Sequence, residues 1–334
     1  MGQTVTNLYV NAVYGSGCPK NGERVRRTQD YTPEKIKAMT WSQKKEAARL
    51  LGIDRPIRSR DPEVSSAEEK KFIAAASSAV HRGKSADHKL WDEILKECIS
   101  RGTIRDIEVN TFDYEKLLDA KSPEGLGAKY DAYLNQLANM DEKGLSVNDR
   151  LATLFNAYNA LCVGHIVRAM RSGKDVSSIL KLNTDKLKIW DQKAGKLFGQ
   201  EVTLSDVEHK LLRAKYADAR LHACIVCASV SCPDLRGEAF VGGDRLDEQM
   251  TDQMKGWLAN QKKGFNPKAE GKGVLLSSIF TWFQGDFKPN VMTFIAPYLP
   301  EKFSAFRKTS KCSLEYMPYD WGINSKKASE AITE

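Results

Sequence analysis

Between residues 205 and 236 the chain gathers side chains that can do thiol and imidazole chemistry. The stretch contains Ser205-Asp206-Val207-Glu208-His209, then His222-Ala223-Cys224-Ile225-Val226-Cys227 and Ala228-Ser229-Val230-Ser231-Cys232-Pro233. A thiol becomes a strong nucleophile when an imidazole takes its proton and a third group fixes the ring. Cys227 is the candidate nucleophile, because Ala228 onward is small, polar and closed by a proline, as a loop carrying reactive groups would be. Residues 221–227 are apolar on both faces and read as a central buried strand. On a strand, His222, Cys224 and Val226 share one face and Cys227 takes the other. That parity makes His209, rather than His222, the expected partner of Cys227. Ser205 and Glu208 match a capping box, which puts His209 in a first helical turn. There the positive end of the helix dipole keeps an imidazole neutral and fit to act as a base. The plainer reading makes Glu208 a helix-start residue and His209 a surface side chain.

Further residues extend the candidate site. Asn156 and Asn159 lie one turn apart on a helix and read either as structural amides or as donors to an oxyanion. Asp320, between Tyr319 and Trp321, reads as a carboxylate that orients a histidine or fixes a loop. Together, Cys227, His209, Glu208 or Asp320, and Asn156 or Asn159 would make a thiol-dependent hydrolase or acyl transferase. Two other chemistries compete. His209, His222, Cys227 and Cys232 could hold zinc, although they lack a standard ligand spacing. Cys224-x-x-Cys227 looks like a redox pair but falls inside the expected strand, whereas a dithiol motif usually opens a helix. No pattern names a cofactor.

The elements that must position these residues are read from periodicity and punctuation. A helical pattern over 32–51 has Thr32 as N-cap and Pro33 at the first helical position. Residues 55–65 read as a linker, and a capping box at Ser66 opens a helix to residue 80. Further helices are predicted over 88–101, 146–170 and 245–258, with Ser146 capping the second. In that second helix Leu151, Leu154, Phe155, Tyr158, Cys162 and Ile166 form the apolar stripe, and His165 lies on it as a core histidine. Strands are predicted over 104–109, 274–277 and 313–317, and a hairpin over 187–192 and 196–203. The irregular alternation points to an α+β fold. Its expected form is a helical N-terminal region followed by a mixed domain with a small, mainly antiparallel sheet packed by helices.

Composition sets the outer limits. The chain has 334 residues, 41% of them hydrophobic and 28% charged, which suits a folded protein with a sizeable core. No apolar run approaches the roughly 18 residues that a membrane-crossing helix needs. Seven cysteines in this length are too few for a disulfide framework and fit a reducing, cytoplasmic setting. Cys98 falls at helical spacing with Trp91, Ile94 and Leu95 and reads as core. Of the net charge of +8, residues 1–60 supply +7, from twelve Lys and Arg against five Asp and Glu. The basic character is thus an arm suited to an anionic membrane surface or an acidic partner, and not a nucleic-acid-binding face of the folded domain. Residues 1–6, Met1-Gly2-Gln3-Thr4-Val5-Thr6, satisfy the N-myristoylation pattern at Gly2. A single myristoyl chain anchors weakly, so Lys20, Arg24, Arg26 and Arg27 would have to add electrostatic attraction. The expectation is recruitment to the cytoplasmic face of a membrane, and an adaptor binding a protein partner.

The chain resembles domain-of-unknown-function family 547. The likeness rests on Asn156-Ala157-Tyr158-Asn159-Ala160-Leu161, on Leu204-Ser205-Asp206-Val207-Glu208-His209 and, most strongly, on the run from His222 through Cys227 and Cys232-Pro233 to Leu235-Arg236. Residues 276–286, with Phe280 and Trp282, and Tyr319-Asp320-Trp321 add to it, so that it spans roughly 85–325. Cys224 and His165 depart from the family pattern. The resemblance implies a domain but no settled activity. The expected organisation is a leader at 1–30, a helical region at 31–84, the domain at 85–325 and a tail at 326–334.

Overall fold

The structure is a computed structural model that describes residues 33–40, 43–44, 47–48, 62–80, 83–216, 218–268, 273–308 and 312–331. Chain order opens with α1 (Pro33–Ala38) and α2 (Pro62–Val80). Then α3 (Lys89–Cys98) leads into the antiparallel hairpin β1 (Ile99–Ile104) and β2 (Ile107–Phe112). The predicted helix through residue 101 therefore stops at Cys98, and the strand expected over 104–109 is the second arm of a hairpin. Its turn is built from Arg105 and Asp106, both at positive φ. Such a turn normally advertises itself with Asn-Gly or Asp-Gly, and Arg-Asp does not.

Next comes α4 (Leu126–Asn139), which the periodicity did not predict, and then α5 (Val147–Arg171). Ser146 caps α5, its hydroxyl accepting from the Asp149 amide at 3.1 Å, as its sequence signature required. Every residue from 151 to 167 is buried, so α5 is enclosed on all sides. Small residues (Ala152, Ala157, Ala160, Gly164) opposite the predicted stripe let neighbouring elements close over it. Those neighbours include the hairpin β3 (Lys193–Leu197) and β4 (Gln200–Thr203). Residues 187–192, expected to form its first arm, instead hold a short 3₁₀ turn, Ile189–Asp191. The hairpin turn sits at Phe198 and Gly199, both left-handed.

A π-helical segment, Asp206–Arg213, follows. Its start is capped two residues earlier than predicted. Thr203 Oγ1 accepts from the Asp206 amide and the Asp206 carboxylate accepts from the Thr203 amide, both at 3.0 Å. Ser205 donates to Asp191 instead, at 2.7 Å, and Glu208 turns inward. Then come α6 (Leu221–Cys224) and the long α7 (Arg245–Ala259). A three-stranded sheet of β5 (Phe265–Pro267), β6 (Gly273–Leu276) and β7 (Ser313–Tyr316) joins an antiparallel pair, β5–β6, to a parallel one, β6–β7. Between β6 and β7 lie α8 (Ile279–Trp282) and α9 (Val291–Ile295), and α10 (Lys326–Glu330) closes the described chain. The fold is α+β, and among the described residues the strands lie in three separate small sheets rather than one.

Two apolar clusters hold these parts together. One surrounds α5 and contains Trp91, Phe112, Tyr114, Phe155, Trp190 and Phe240. The other sits between α7 and the three-stranded sheet, where Trp257 stacks on Phe280 at 4.6 Å. Residues 219–228 run along the seam: Ala219 and Ala223 pack into the second cluster, Leu221 and Cys224 through Ala228 into the first. This explains why 221–227 is apolar on both faces without being a strand. It begins as the helical turn α6, with Ile225 N–H on Leu221 O at 3.2 Å, and only then extends. No helix among the described residues is long and apolar enough to cross a membrane.

Candidate functional site

In the extended stretch after α6, a side chain of α5 pairs with the main chain at Cys224 and Val226. Asn159 donates from Nδ2 to Cys224 O and accepts from the Val226 amide through Oδ1, each at 2.9 Å. One buried amide thus satisfies both main-chain groups that a sheet neighbour would have paired. A turn earlier on α5, Asn156 does the same for Phe240, donating to its carbonyl at 2.8 Å and accepting from its amide at 2.9 Å. Neither asparagine is placed to donate to a substrate oxyanion. Both act as clamps on main chain.

Just past the clamp, Ala228 takes φ of 59°, a left-handed conformation that costs a residue with a Cβ about 1–2 kcal/mol. The turn swings the chain against residues 320–324. There the Val230 amide bonds Gly322 O at 2.8 Å and the Asn324 amide bonds Ala228 O at 3.0 Å. Ser231 Oγ accepts from the Asp320 amide at 2.9 Å. These bonds deliver the preceding residue, Tyr319, to the sulfur of Cys227.

Cys227 Sγ lies 3.2 Å from Cys232 Sγ, 3.0 Å from Ser229 Oγ and 3.5 Å from the Tyr319 hydroxyl. The surroundings hold the Cys227 thiol below its ordinary value, at about 6. The Cys232 S–H contributes most; burial opposes it; the Ser229 and Tyr319 hydroxyls add to it. On Cys232 burial and the neighbouring sulfur push the other way, well above the thiol range. The Cys227 amide does donate to Cys232 Sγ at 3.1 Å. The surroundings thus lower the Cys227 thiol and raise that of Cys232, which favours ionisation at Cys227.

Beside the pair is a cavity of about 30 Å³, lined by Cys227, Cys232, Tyr158, Glu208, His222 and Tyr319 together with Ile225, Ile279, Trp282 and Phe283. Only Trp282 and Tyr319 among these reach solvent appreciably; the rest are buried. Glu208 accepts from Tyr158 at 3.3 Å, and burial raises its carboxyl to about 7, so it is largely protonated in mildly acidic solution. His222 donates from Nε2 to Asp286 at 2.8 Å and stacks on Phe283 at 4.3 Å. Desolvation lowers its pKa despite that carboxylate. Burial alone would raise Asp286, but hydrogen bonds from His222 and Arg213 hold it well below the carboxylate range.

The sequence-predicted residues are only partly brought together. Cys227, Cys232, Glu208 and His222 line one cavity. His209 does not: it is half-buried, with Nδ1 3.0 Å from Arg213, and burial and that guanidinium lower its pKa to about 4. The expected Cys227–His209 couple is therefore not formed. The strand parity that favoured it fails because residues 221–224 are helical. Asp320 orients no histidine; it pairs with Arg105 at 2.7 Å and accepts from the Gly322 amide at 2.9 Å, fixing its loop. His209, His222, Cys227 and Cys232 do not converge as a ligand set. Among the described residues no group of three or more His, Cys, Asp or Glu has metal-binding geometry. His165, read as core, is buried with Nδ1 3.2 Å from Arg168. Gly2 and the basic arm through Arg27 lie outside the described residues.

Sequence reasoning missed Tyr158, Ser229, Tyr319, Asp286 and Arg213. Tyr158 was absorbed into the apolar stripe of its helix, and its hydroxyl, which reaches Glu208, leaves no trace in periodicity. Asp286 and Arg213 are 73 residues apart, and their bidentate pair, at 2.7 and 3.1 Å, forms only in the fold.

Fold and site together define an α+β protein with a buried cysteine pair facing a buried glutamate and a buried histidine. Residues 143–258 match the model of a family described as a protein of unknown function, DUF547, the family whose motifs the sequence resembles. The match takes in α5, the two asparagine clamps, Glu208, His222 and both cysteines. Tyr319 and Asp286, which complete the site, lie beyond it, as does much of the wider span of resemblance. Neither a curated protein nor a solved structure matches the chain.

Proposed function

We propose that the chain is a thiol-redox protein whose Cys227 and Cys232 interconvert between dithiol and disulfide. The observation that carries this reading is the contact of 3.2 Å between the two sulfurs, with the Ser229 and Tyr319 hydroxyls also within hydrogen-bond reach of Cys227. A disulfide needs a sulfur separation of about 2.0 Å, so closure asks for little more than an ångström of movement. A low-pKa thiolate beside a protonated partner thiol is the arrangement that dithiol chemistry uses. In those terms the Cys227 thiolate attacks one sulfur of a disulfide oxidant such as glutathione disulfide, breaking its S–S bond and releasing one thiol; Cys232 sulfur then attacks Cys227 sulfur, and the second half leaves as a thiol with the electron pair and the Cys232 proton. The test is a redox titration in glutathione buffers, followed by alkylation and mass analysis. Two alkylatable thiols should disappear in one step, mapped to Cys227 and Cys232, and Cys232→Ala should abolish the step. Persistence of both thiols across the whole range overturns the proposal.

A second reading keeps Cys227 as an acyl-transfer nucleophile, now with His222 and Asp286 in place of His209. What favours it is the cavity that Cys227 and His222 share. It predicts a covalent acyl group trapped on Cys227 by an activated thioester, which a purely redox pair would not retain. An adaptor that only docks a protein partner would leave both sulfurs indifferent in either assay. Membrane recruitment through a myristoyl group on Gly2 and the Lys20–Arg27 cations is a separate part of the proposal, supported by the sequence pattern alone.

A further inference from the structure

We propose, resting on the dithiol reading, that the oxidant is a small hydroperoxide, hydrogen peroxide in the first place, taken up in the cavity between Cys227 and Glu208. Size is the first argument. A water-sized probe occupies about 10–15 Å³, so a cavity of about 30 Å³ has room for about two adjoining oxygen atoms beside the sulfur, the size of a peroxide group.

Chemistry is the second argument. A thiolate displaces hydroxide from a peroxide, and the step is eased by an acid able to protonate the leaving oxygen. The cavity has the thiolate on one wall and the buried Glu208 carboxyl, held by the Tyr158 hydroxyl, on another. Burial raises the Glu208 carboxyl toward neutral pH while the donors around Cys227 lower its thiol, which favours a protonated acid facing a thiolate. Cys227 sulfur attacks one peroxide oxygen, the O–O bond breaks, and the departing oxygen takes the Glu208 proton and leaves as water. This gives a sulfenic acid on Cys227 and a carboxylate on Glu208. Cys232 sulfur then attacks Cys227 sulfur; its own proton and the sulfenic hydroxyl leave as a second water, and the disulfide closes. A dithiol reductant, itself oxidised to a disulfide, restores both thiols.

The groups facing this chemistry are few. His222 bonds Asp286 through Nε2, while Arg213 pairs with Asp286 and lies 4.7 Å over the Phe283 ring. The other proton-bearing groups on the cavity wall are the Cys232 thiol and the Tyr158 and Tyr319 hydroxyls, so Glu208 is its one carboxyl, and the pH profile should show it.

The experiment follows oxidation of the fully reduced, full-length protein by hydrogen peroxide, by tert-butyl hydroperoxide and by diamide. Cys227 is scored by mass spectrometry against Cys312, a half-buried thiol in the same molecule whose pKa burial raises. Cys227 is expected to react with hydrogen peroxide at least about tenfold faster than Cys312, and at least about tenfold faster than with the bulky peroxide. In Cys232→Ala the product should be a sulfenic acid on Cys227, trapped by dimedone. The rate should rise with pH through about 6 and fall through about 7. Glu208→Gln should slow it at least about tenfold and remove the falling limb. If that variant does not fold, Tyr158→Phe should displace the falling limb instead. Equal rates at Cys227 and Cys312, indifference to peroxide size, or a falling limb that survives Glu208→Gln overturns the peroxide assignment. A Cys227–Cys232 disulfide formed by diamide but not selectively by peroxide leaves the dithiol reading standing. Absence of that disulfide with every oxidant removes both.

Discussion

Replacing Asn159 by alanine should unfold the protein's candidate site from underneath rather than silence it chemically. The side chain is 2% exposed and makes two hydrogen bonds of 2.9 Å, to Cys224 O and from the Val226 amide. Alanine would leave both main-chain groups buried and unpaired, at a cost of about 1–3 kcal/mol each. A loss of about 4 kcal/mol in all is a large share of the roughly 5–15 kcal/mol that holds a folded domain together. At about 2–4 °C per kcal/mol for a domain of this size, the midpoint of thermal unfolding should drop by about 8–16 °C. Calorimetry and urea titration measure the loss, and hydrogen exchange at the Val226 amide localises it. Asn159→Asp should not rescue, because it keeps the acceptor for Val226 but turns a second acceptor toward the Cys224 carbonyl. A loss below about 1 kcal/mol, with Val226 still protected and only thiol reactivity gone, would refute the clamp and restore the asparagine to a chemical role.

Glu208→Gln should change the pH dependence of stability. A carboxyl raised from 4.5 to about 7 keeps a proton in the folded state that the unfolded chain has released, so wild-type stability falls as pH rises across that window. At about 1.4 kcal/mol per unit the fall approaches about 3 kcal/mol; the variant should lack it, matching wild type near pH 4 and exceeding it at pH 8 in urea titrations. Equal slopes for the two proteins would show Glu208 to be exposed or ionised in the fold. Ala228→Gly should stabilise by about 0.5 kcal/mol, since relief of the left-handed strain outweighs the greater freedom glycine has when unfolded; a destabilised variant would mean the φ of 59° is not strained there. Gly2→Ala should move the protein from the membrane fraction to the supernatant, and an unchanged distribution would end the lipidation proposal.

Much of the fold was legible wherever the physical signal is local. The cap at Ser146, the helix it starts and the helix now placed at Arg245–Ala259 follow from side-chain to main-chain bonds within one turn and from periodicity. Hairpin turns at Arg105-Asp106 and Phe198-Gly199 were harder, because three of those four residues adopt positive φ without the small or amide side chain that announces it. The stretch 221–227 was misread for a different reason. Apolar character on both faces says only that a segment is enclosed; whether it is strand or helical turn depends on what pairs its amides, and here the partner is Asn159, some 65 residues away.

The candidate site divides along the same line. Residue chemistry picked out Cys227, Cys232, Glu208 and His222 as reactive types, and by itself the sequence determined which thiols, carboxyl and imidazole were on offer. Only the tertiary structure decided which of them meet. It set His209 against Arg213, turned Glu208 inward to Tyr158, and brought Tyr319 across 92 residues to Cys227. The physical reason is range: caps and periodicity act within a turn or two of chain, whereas a sulfur's charge is set by whichever donors packing brings within about 3–4 Å, irrespective of their separation in sequence.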